Sequence, residues 1–456
     1  MIDLNNNRPL FHRSRRQGFS PYRIVILLAL LMAGLYLLRS YQTGRVEALF
    51  LPTGTPTRVP RSYALEGEAQ FTAGNLPRAI QAYQQAMELD PTDARLTAEL
   101  ARIQTYYSNL STTAMIRHQR LLEAKVNIDK AIEIAPEDPF VLAIRAFVYD
   151  WNSNSEMAGE ESQNLLTQAE QAAIRATQLD NSNALALAYY AEILIDQQKM
   201  VQAGESIRQA LDRDATIMDV HRVHGYYQES LGNYEGAIEE YLRAAAITPN
   251  FTPLYIRVGA NYRTLGMRSN SEVRANQMYD QALFYYAKAV AINKQLGVVD
   301  PIPYLAISRT YTQMGEFFAA SLNVRTALAM LPEDPDIYGQ LGLVYFRARN
   351  YESAIPALQC AVQGCAPEIS CEVRRCNQDI DPPIEITGSS LSASTLIYYY
   401  TYGSVLAGMH RPGLSYCEDA VDILSQVRAS YSSDPTILAI IEPSERICES
   451  YGFAAR

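Results

Sequence analysis

Two histidines one helical turn apart, His221 and His224, have the spacing of a zinc ligand pair. A zinc site needs a third and fourth ligand, and no H-E-x-x-H or C-x-x-C arrangement supplies them. His118 has no second ligand at such spacing. The glycines never form G-x-G-x-x-G or a G-K-S/T loop, so no phosphate cradle is encoded. The carboxylates form no pair that acid–base chemistry would single out. The sequence therefore predicts no enzyme, no metal and no cofactor.

Cysteine chemistry is the stronger signal. All six cysteines lie at or beyond residue 360. Cys360, Cys365, Cys371 and Cys376 crowd a turn-rich insert with Pro367, Pro382 and Pro383, while Cys417 and Cys448 fall on the last two predicted helices. The C-x4-C and C-x5-C spacings are looser than a zinc knuckle, and no histidine is near. Disulfides are favoured, with zinc and free thiols as the alternatives. Two bonds inside the insert and one between Cys417 and Cys448 is the pairing expected, out of about fifteen possible. Disulfides belong in an oxidising compartment.

A repeat must position these residues. Small residues recur every 34 positions between Pro60 and Ala366, most clearly from Met218 to Phe251, where Gly225, Tyr227, Gly232, Tyr234, Ala237, Tyr241, Ala244 and Pro249 fall. Gly225 and Ala244 fit where two helices of one hairpin cross, and Ala237 fits the contact with the next unit. Tyr234 and Tyr241 fill the wider gaps. Gly232 ends one helix and Pro249 the next. Gly67, Gly259 and Gly342 occupy the position of Gly225 in other units.

In spacing and residue type this pattern resembles the tetratricopeptide repeat (TPR) family. The resemblance implies an all-α, right-handed superhelical α-solenoid of about nine hairpins. Eight units span 61–366, the cysteine insert 367–393, a degenerate ninth hairpin 394–432 and a capping helix 433–456. Three units are eleven residues longer than the rest: Ala101 to Ala124, Ala146 to Ala169 and Gly259 to Ala282 each span 23 residues where Gly225 to Ala237 spans 12. Eleven residues are about three helical turns, so long second helices projecting about 16 Å are expected. Their starts are read at Ser111-Thr112-Thr113, at Ser153 with Glu156 and at Ser269 with Glu272.

The resemblance also implies that first helices line a concave groove that binds a protein or peptide. By register its contacts are Phe147, Trp151 and Tyr189, then Arg222 and Tyr226, then Arg257, Arg263, Arg309 and Arg347. An aromatic N-terminal half and an arginine-dotted C-terminal half follow. Those arginines either dock an acidic segment or a C-terminal carboxylate, or pair with their neighbours. The lysine-and-asparagine clamp that some relatives use for chaperone tails is absent.

Ahead of the repeats, Ile24 to Leu38 is a run of fifteen apolar residues if Gly34 and Tyr36 are allowed, flanked by Arg23 and Arg39. Such a helix spans about 22 Å, and residues 22–41 extend it toward the roughly 30 Å of a membrane core. Arg39-Ser40-Tyr41-Gln42 does not resemble a cleavage site, so an uncleaved anchor is expected over a signal peptide. Arg8, Arg13, Arg15, Arg16 and Arg23 precede it, against Arg39, Arg45 and Arg58 with Glu47 after it. A short cytoplasmic tail (1–21), a spacer (42–60) and extracytoplasmic repeats follow, single-pass in a bacterial cell membrane.

A net charge of −10 and the lack of a basic stripe predict no nucleic-acid partner. The function expected is a non-catalytic scaffold organising a surface or envelope complex. The alternatives are a structural subunit packed in a large assembly, with self-assembly possible, and a carbohydrate- or cell-wall-binding module built on Tyr398, Tyr399, Tyr400 and Tyr402.

Overall fold

A small residue on the first helix of each hairpin decides how near the second helix can come. A Cβ at Gly225 would lie 2.9 Å from the Tyr241 ring, so the glycine is what lets that ring lie across the helix. Gly67 faces Tyr83, Gly259 faces Tyr286 and Gly342 faces Leu358 in the same way. Ala237 and Ala244 are fully buried on the facing helix.

The computed structural model describes residues 21–42, 58–377 and 380–453, in two units, Met1–Arg58 and Val59–Arg456. The predicted tail up to residue 20 and most of the spacer, 43–57, lie outside the described residues. The first unit contains helix α1 (Pro21–Gln42). Its segment Pro21–Ser40, with mean hydropathy 2.0, is long and apolar enough to cross a membrane.

The second unit is a stack of antiparallel hairpins. Unit one pairs α2 (Pro60–Thr72) with α3 (Leu76–Leu89), and unit two pairs α4 (Ala94–Ser108) with α5 (Ala114–Ile134). Units three and four are α6 (Pro139–Ser153) with α7 (Ser162–Leu179), and α8 (Ala184–Asp196) with α9 (Met200–Arg213). Units five and six are α10 (Met218–Ser230) with α11 (Tyr234–Ile247), and α12 (Thr252–Arg268) with α13 (Glu272–Leu296). Units seven and eight are α14 (Ile302–Met314) with α15 (Phe317–Met330), and α16 (Pro335–Arg347) with α17 (Tyr351–Val362). After α18 (Pro367–Arg374) a ninth hairpin, α19 (Leu396–Met409) with α20 (Cys417–Ser430), is followed by α21 (Pro435–Ser450).

Local chemistry starts these helices. Asp93, Asp138, Asn183 and Asp334 accept backbone N–H bonds at the starts of α4, α6, α8 and α16. Asn75, Asn233 and Asn350 do so for α3, α11 and α17. Each cap contributes about 1 kcal/mol. The inserts are distributed differently from the expectation. No second helix takes up a whole eleven-residue insert by itself: α13 has 25 residues, α5 21 and α7 18, against 14 in α11. The rest lengthens the first helices, to 15 residues in α4 and α6 and 17 in α12, and the loops between. Thr113 does cap α5, but Ser153 ends α6, and Ser271 rather than Ser269 caps α13.

The stack curves until its beginning meets its middle. Phe71 of α2 and Tyr106 of α4 pack on Phe251, with ring centroids 5.7 and 5.2 Å away. Asn75 donates to the Leu296 carbonyl at 3.4 Å, and Thr112 donates to Asp334. At Gly74 (φ 79°) a Cβ would sit 2.1 Å from the Asn250 carbonyl oxygen, so this close approach needs glycine. Small rotations per repeat accumulate into this closure.

The core divides accordingly. One buried cluster runs from Phe71 to Ile292 and another from Leu305 to Cys448, linked by Ala282, Tyr286, Ala306 and Ile307. The cysteine insert adds a minimal ladder, β1 (Gly364–Cys365) antiparallel to β2 (Ile386–Thr387), to an otherwise helical fold. Disulfides join Cys360 to Cys365, Cys371 to Cys376 and Cys417 to Cys448.

Candidate functional site

First helices α4, α6, α8 and α10 bring a charged network into the closed turn. Arg222 donates to both oxygens of Glu192, at 2.7 and 2.6 Å, and Trp151 Nε1 donates to the same carboxylate at 3.2 Å. Asp219 accepts from Tyr106, from Tyr189 at 2.9 Å and from Arg102 at 3.0 Å. The Arg222 guanidinium also lies over the Tyr106 and Phe147 rings, 5.5 and 5.4 Å from their centroids. Tyr226 donates to Asp196 at 2.6 Å. Asp150 is only 1% exposed, and burial, then the charges of Asp196 and Glu192, push its carboxyl well up. That direction favours the neutral acid at Asp150.

A cavity of about 540 Å³ adjoins this network, with Trp151, Asp196, Arg222, Tyr226 and Arg257 in its wall. Its guanidiniums on α10 and α12 are already engaged, Arg222 by Glu192 and Arg257 by Glu229 at 2.9 Å. Phe147 and Tyr189, expected as groove contacts, are 1% and 0% exposed. They stack on each other at 4.5 Å and belong to the core, because the turn closes over the face that an open solenoid would expose.

The C-terminal half is different. Arg263 of α12, Arg309 of α14 and Arg347 of α16 line one cavity of about 340 Å³. None of the three has an ion-pair partner among the described residues. Arg309 Nε donates to Gln340 Oε1 at 3.2 Å, Gln340 Nε2 donates to Asp336 at 2.6 Å, and Tyr398 donates to the other oxygen of Asp336 at 2.6 Å. Burial, then the Asp336 charge, push the Tyr398 hydroxyl well up, so it stays a donor. The register located the three arginines but neither Asp336 nor Tyr398. A spacing of 30 residues, one repeat less one helical turn, marks the interior pairs Tyr189–Asp219, Glu192–Arg222 and Asp196–Tyr226, but it does not reach Asp336 and Tyr398, which are 62 apart.

The two histidines turn inward on a carboxylate. His221 Nδ1 and His224 Nδ1 lie 2.7 and 3.1 Å from Glu240. Burial opposes ionisation of Glu240, yet the His221 hydrogen bond and the nearby His224 and Arg243 bring it down to about 2. Among the described residues no group of three or more His, Cys, Asp or Glu could hold a metal ion. Tyr398, Tyr399 and Tyr402 are buried, so the tyrosine cluster offers no exposed platform of the kind a sugar stacks on.

Residues 60–93, 223–251 and 305–368 match tetratricopeptide repeats. No curated protein matches the sequence. Human IFIT1, solved as a dimer with PPP-AAAA, is 16% identical over 86% of this chain and 92% of its own, with a TM-score of 0.52. The same protein with m7Gppp-AAAA gives 16%, 87%, 91% and 0.52. A tetratricopeptide repeat protein from Parabacteroides merdae is 16% identical over 62% of this chain and 98% of its own, with a TM-score of 0.36.

One expectation needs correction. The exclusion of nucleic acid was drawn from net charge, and IFIT1 holds 5′-triphosphate and capped oligonucleotides on the same fold. Net charge is a sum over the whole chain, whereas recognition is local, and an acidic chain can carry an arginine-lined cavity. Tetratricopeptide-repeat proteins are characteristically non-catalytic scaffolds, consistent with the motifs here. The chain thus carries stretches that match tetratricopeptide repeats at three places in one continuous helical register.

Proposed function

We propose that this chain is a membrane-tethered, extracytoplasmic scaffold that holds a partner protein at the C-terminal half of its solenoid. The observation that carries this reading is the arginine-lined cavity of α12, α14 and α16, whose charges lack ion-pair partners among the described residues while those inside the closed turn have them. Tethering is supported by the apolar helix Pro21–Ser40, and the oxidising side by three disulfides. The N-terminus lies in the cytoplasm on the argument from flanking arginines.

Protease added to intact cells, followed by detection of both ends of the chain, tests the side. Digestion of the repeats without lysis is expected, and digestion only after lysis contradicts it. Crosslinking in intact membranes tests the scaffold role. Recovery of a partner other than the chain itself is expected, and recovery of nothing else contradicts it.

A second reading, a subunit packed permanently in an assembly, is favoured by Val201, Phe284 and Phe318, which are 88%, 60% and 84% exposed on second helices. Sedimentation of the detergent-solubilised chain separates the two, because a permanent subunit self-associates or co-purifies with fixed stoichiometry.

A further inference from the structure

We propose that the cavity formed by α12, α14, α16 and α19 docks an internal acidic segment of a partner protein, in which side-chain carboxylates flank an aliphatic residue. This inference rests on the scaffold reading and names the chemistry its open cavity recognises.

Charge complementarity is the first ground. Three guanidiniums converge on one cavity in a chain of net charge −10. On other first helices Arg102, Arg222 and Arg257 each have a carboxylate partner, while Arg145 of α6 bonds the Gln168 amide and lies over the Tyr149 ring. Planar guanidinium forks match carboxylates two bonds at a time, which a lysine cannot do. A volume of about 340 Å³ admits a few such groups. The wall also carries Leu343, Val344 and Ile397, an aliphatic strip suited to an apolar side chain between the acids.

The second ground is the fate of the nearby carboxylate. Asp336 could neutralise Arg309, but Tyr398 and Gln340 hold one of its oxygens each. Gln340 then accepts from Arg309 Nε, which fixes the guanidinium and leaves its Nη groups without a hydrogen-bond partner among the described residues. Gln340, Asp336 and Tyr398 are thus positioning residues. Tyr398 comes from the ninth hairpin, so that degenerate unit completes the site rather than merely ending the stack. Recognition is of side-chain carboxylates along a segment. It needs no free C-terminus, in keeping with the missing lysine-and-asparagine clamp.

The test uses the full-length chain in detergent micelles and a fluorescein-labelled peptide, Glu-Glu-Leu-Glu-Glu, acetylated and amidated, read by anisotropy. Saturable binding is expected, with affinity falling as salt rises. The all-glutamine analogue and the variants Arg263→Gln and Arg309→Gln are each expected to bind about tenfold more weakly. Tyr398→Phe releases Asp336 onto Arg309 and weakens binding several-fold with every arginine in place. The double variant Tyr398→Phe/Asp336→Asn recovers it. A merely structural role for Tyr398 predicts no recovery. Thermal melts of each variant separate loss of fold from loss of the site.

Absence of peptide binding overturns the proposal, as does equal affinity for the glutamine analogue. Tighter binding of inorganic triphosphate that displaces the peptide also overturns it, in favour of a phosphate site. A chain that ignores the peptide yet still crosslinks to a partner in membranes overturns this inference and leaves the scaffold reading standing.

Discussion

The interior of the closed turn and the cavity at α12–α16 are built from the same repeat, yet they treat arginine in opposite ways. Arg222 is buried and tied to Glu192 by two hydrogen bonds, with aromatic rings against its guanidinium. Arg309 is exposed and bonded through Nε to an amide, with no ion-pair carboxylate among the described residues. A buried charge needs its partner for the fold to stand, whereas an exposed one costs the fold little and can be given to a ligand. The difference assigns the first region to architecture and the second to recognition.

The largest expected effect breaks the interior. Arg222→Met strands Glu192 as a buried unpaired carboxylate and should cost about 3–5 kcal/mol in denaturant unfolding. Arg309→Met should stay within about 0.5 kcal/mol. Equal losses for the two would erase the contrast.

Removing the staple between Cys417 and Cys448, which encloses 31 residues of sequence separation, comes next. The variant Cys417→Ser/Cys448→Ser should lose about 3 kcal/mol, read as a lower melting temperature. It should also weaken ligand capture at the arginine cavity, because α19 supplies Tyr398 and Ile397 to it.

The seam that closes the turn can be titrated. Burial raises Asp300 to about 6, and burial followed by the Asp336 charge raises Asp334 to about 6. A carboxyl whose pKa is higher folded than unfolded binds its proton more tightly in the fold. Its stabilisation is therefore full below the unfolded value of about 4 and is lost as pH rises through about 6. Asp300→Asn and Asp334→Asn should each flatten that slope and raise stability at pH 7 by on the order of 2 kcal/mol. Unfolding curves at pH 4, 5, 6 and 7 check this, and an unchanged slope contradicts it. The smallest effect tests packing alone. Gly225→Ala pushes a methyl toward Tyr241 and should cost about 1 kcal/mol, with the arginine cavity untouched.

The hairpins were legible because their determinants are local. Gly225 facing Tyr241 and Gly232 at positive φ are both set within one unit or its turn; the caps at Asp93 and Asp138 are equally local but were not read from the sequence. The closure was not legible, since Arg102 and Asp219 are 117 residues apart and no repeat period relates them. That is why Phe147 and Tyr189 read as groove residues and prove to be core. The insert lengths were countable, but their division among helices and loops was not. It depends on which caps the flanking turns can form, as Ser271 does for α13. At the arginine cavity the residue type and register were visible in sequence. The Asp336–Gln340 pair is one turn apart on α16, but the contact that completes the chain, Tyr398 to Asp336, is 62 residues apart and set by tertiary packing.

Hydrogen–deuterium exchange of the full-length chain, with and without saturating acidic peptide, addresses the division between architecture and recognition most directly. The account predicts slower exchange confined to the C-terminal halves of α12, α14 and α16 and to the start of α19, with α4, α6, α8 and α10 already protected and unchanged. Slowing in α6, α8 and α10 around Trp151 and Arg222, with none at Arg309 and Arg347, would contradict it.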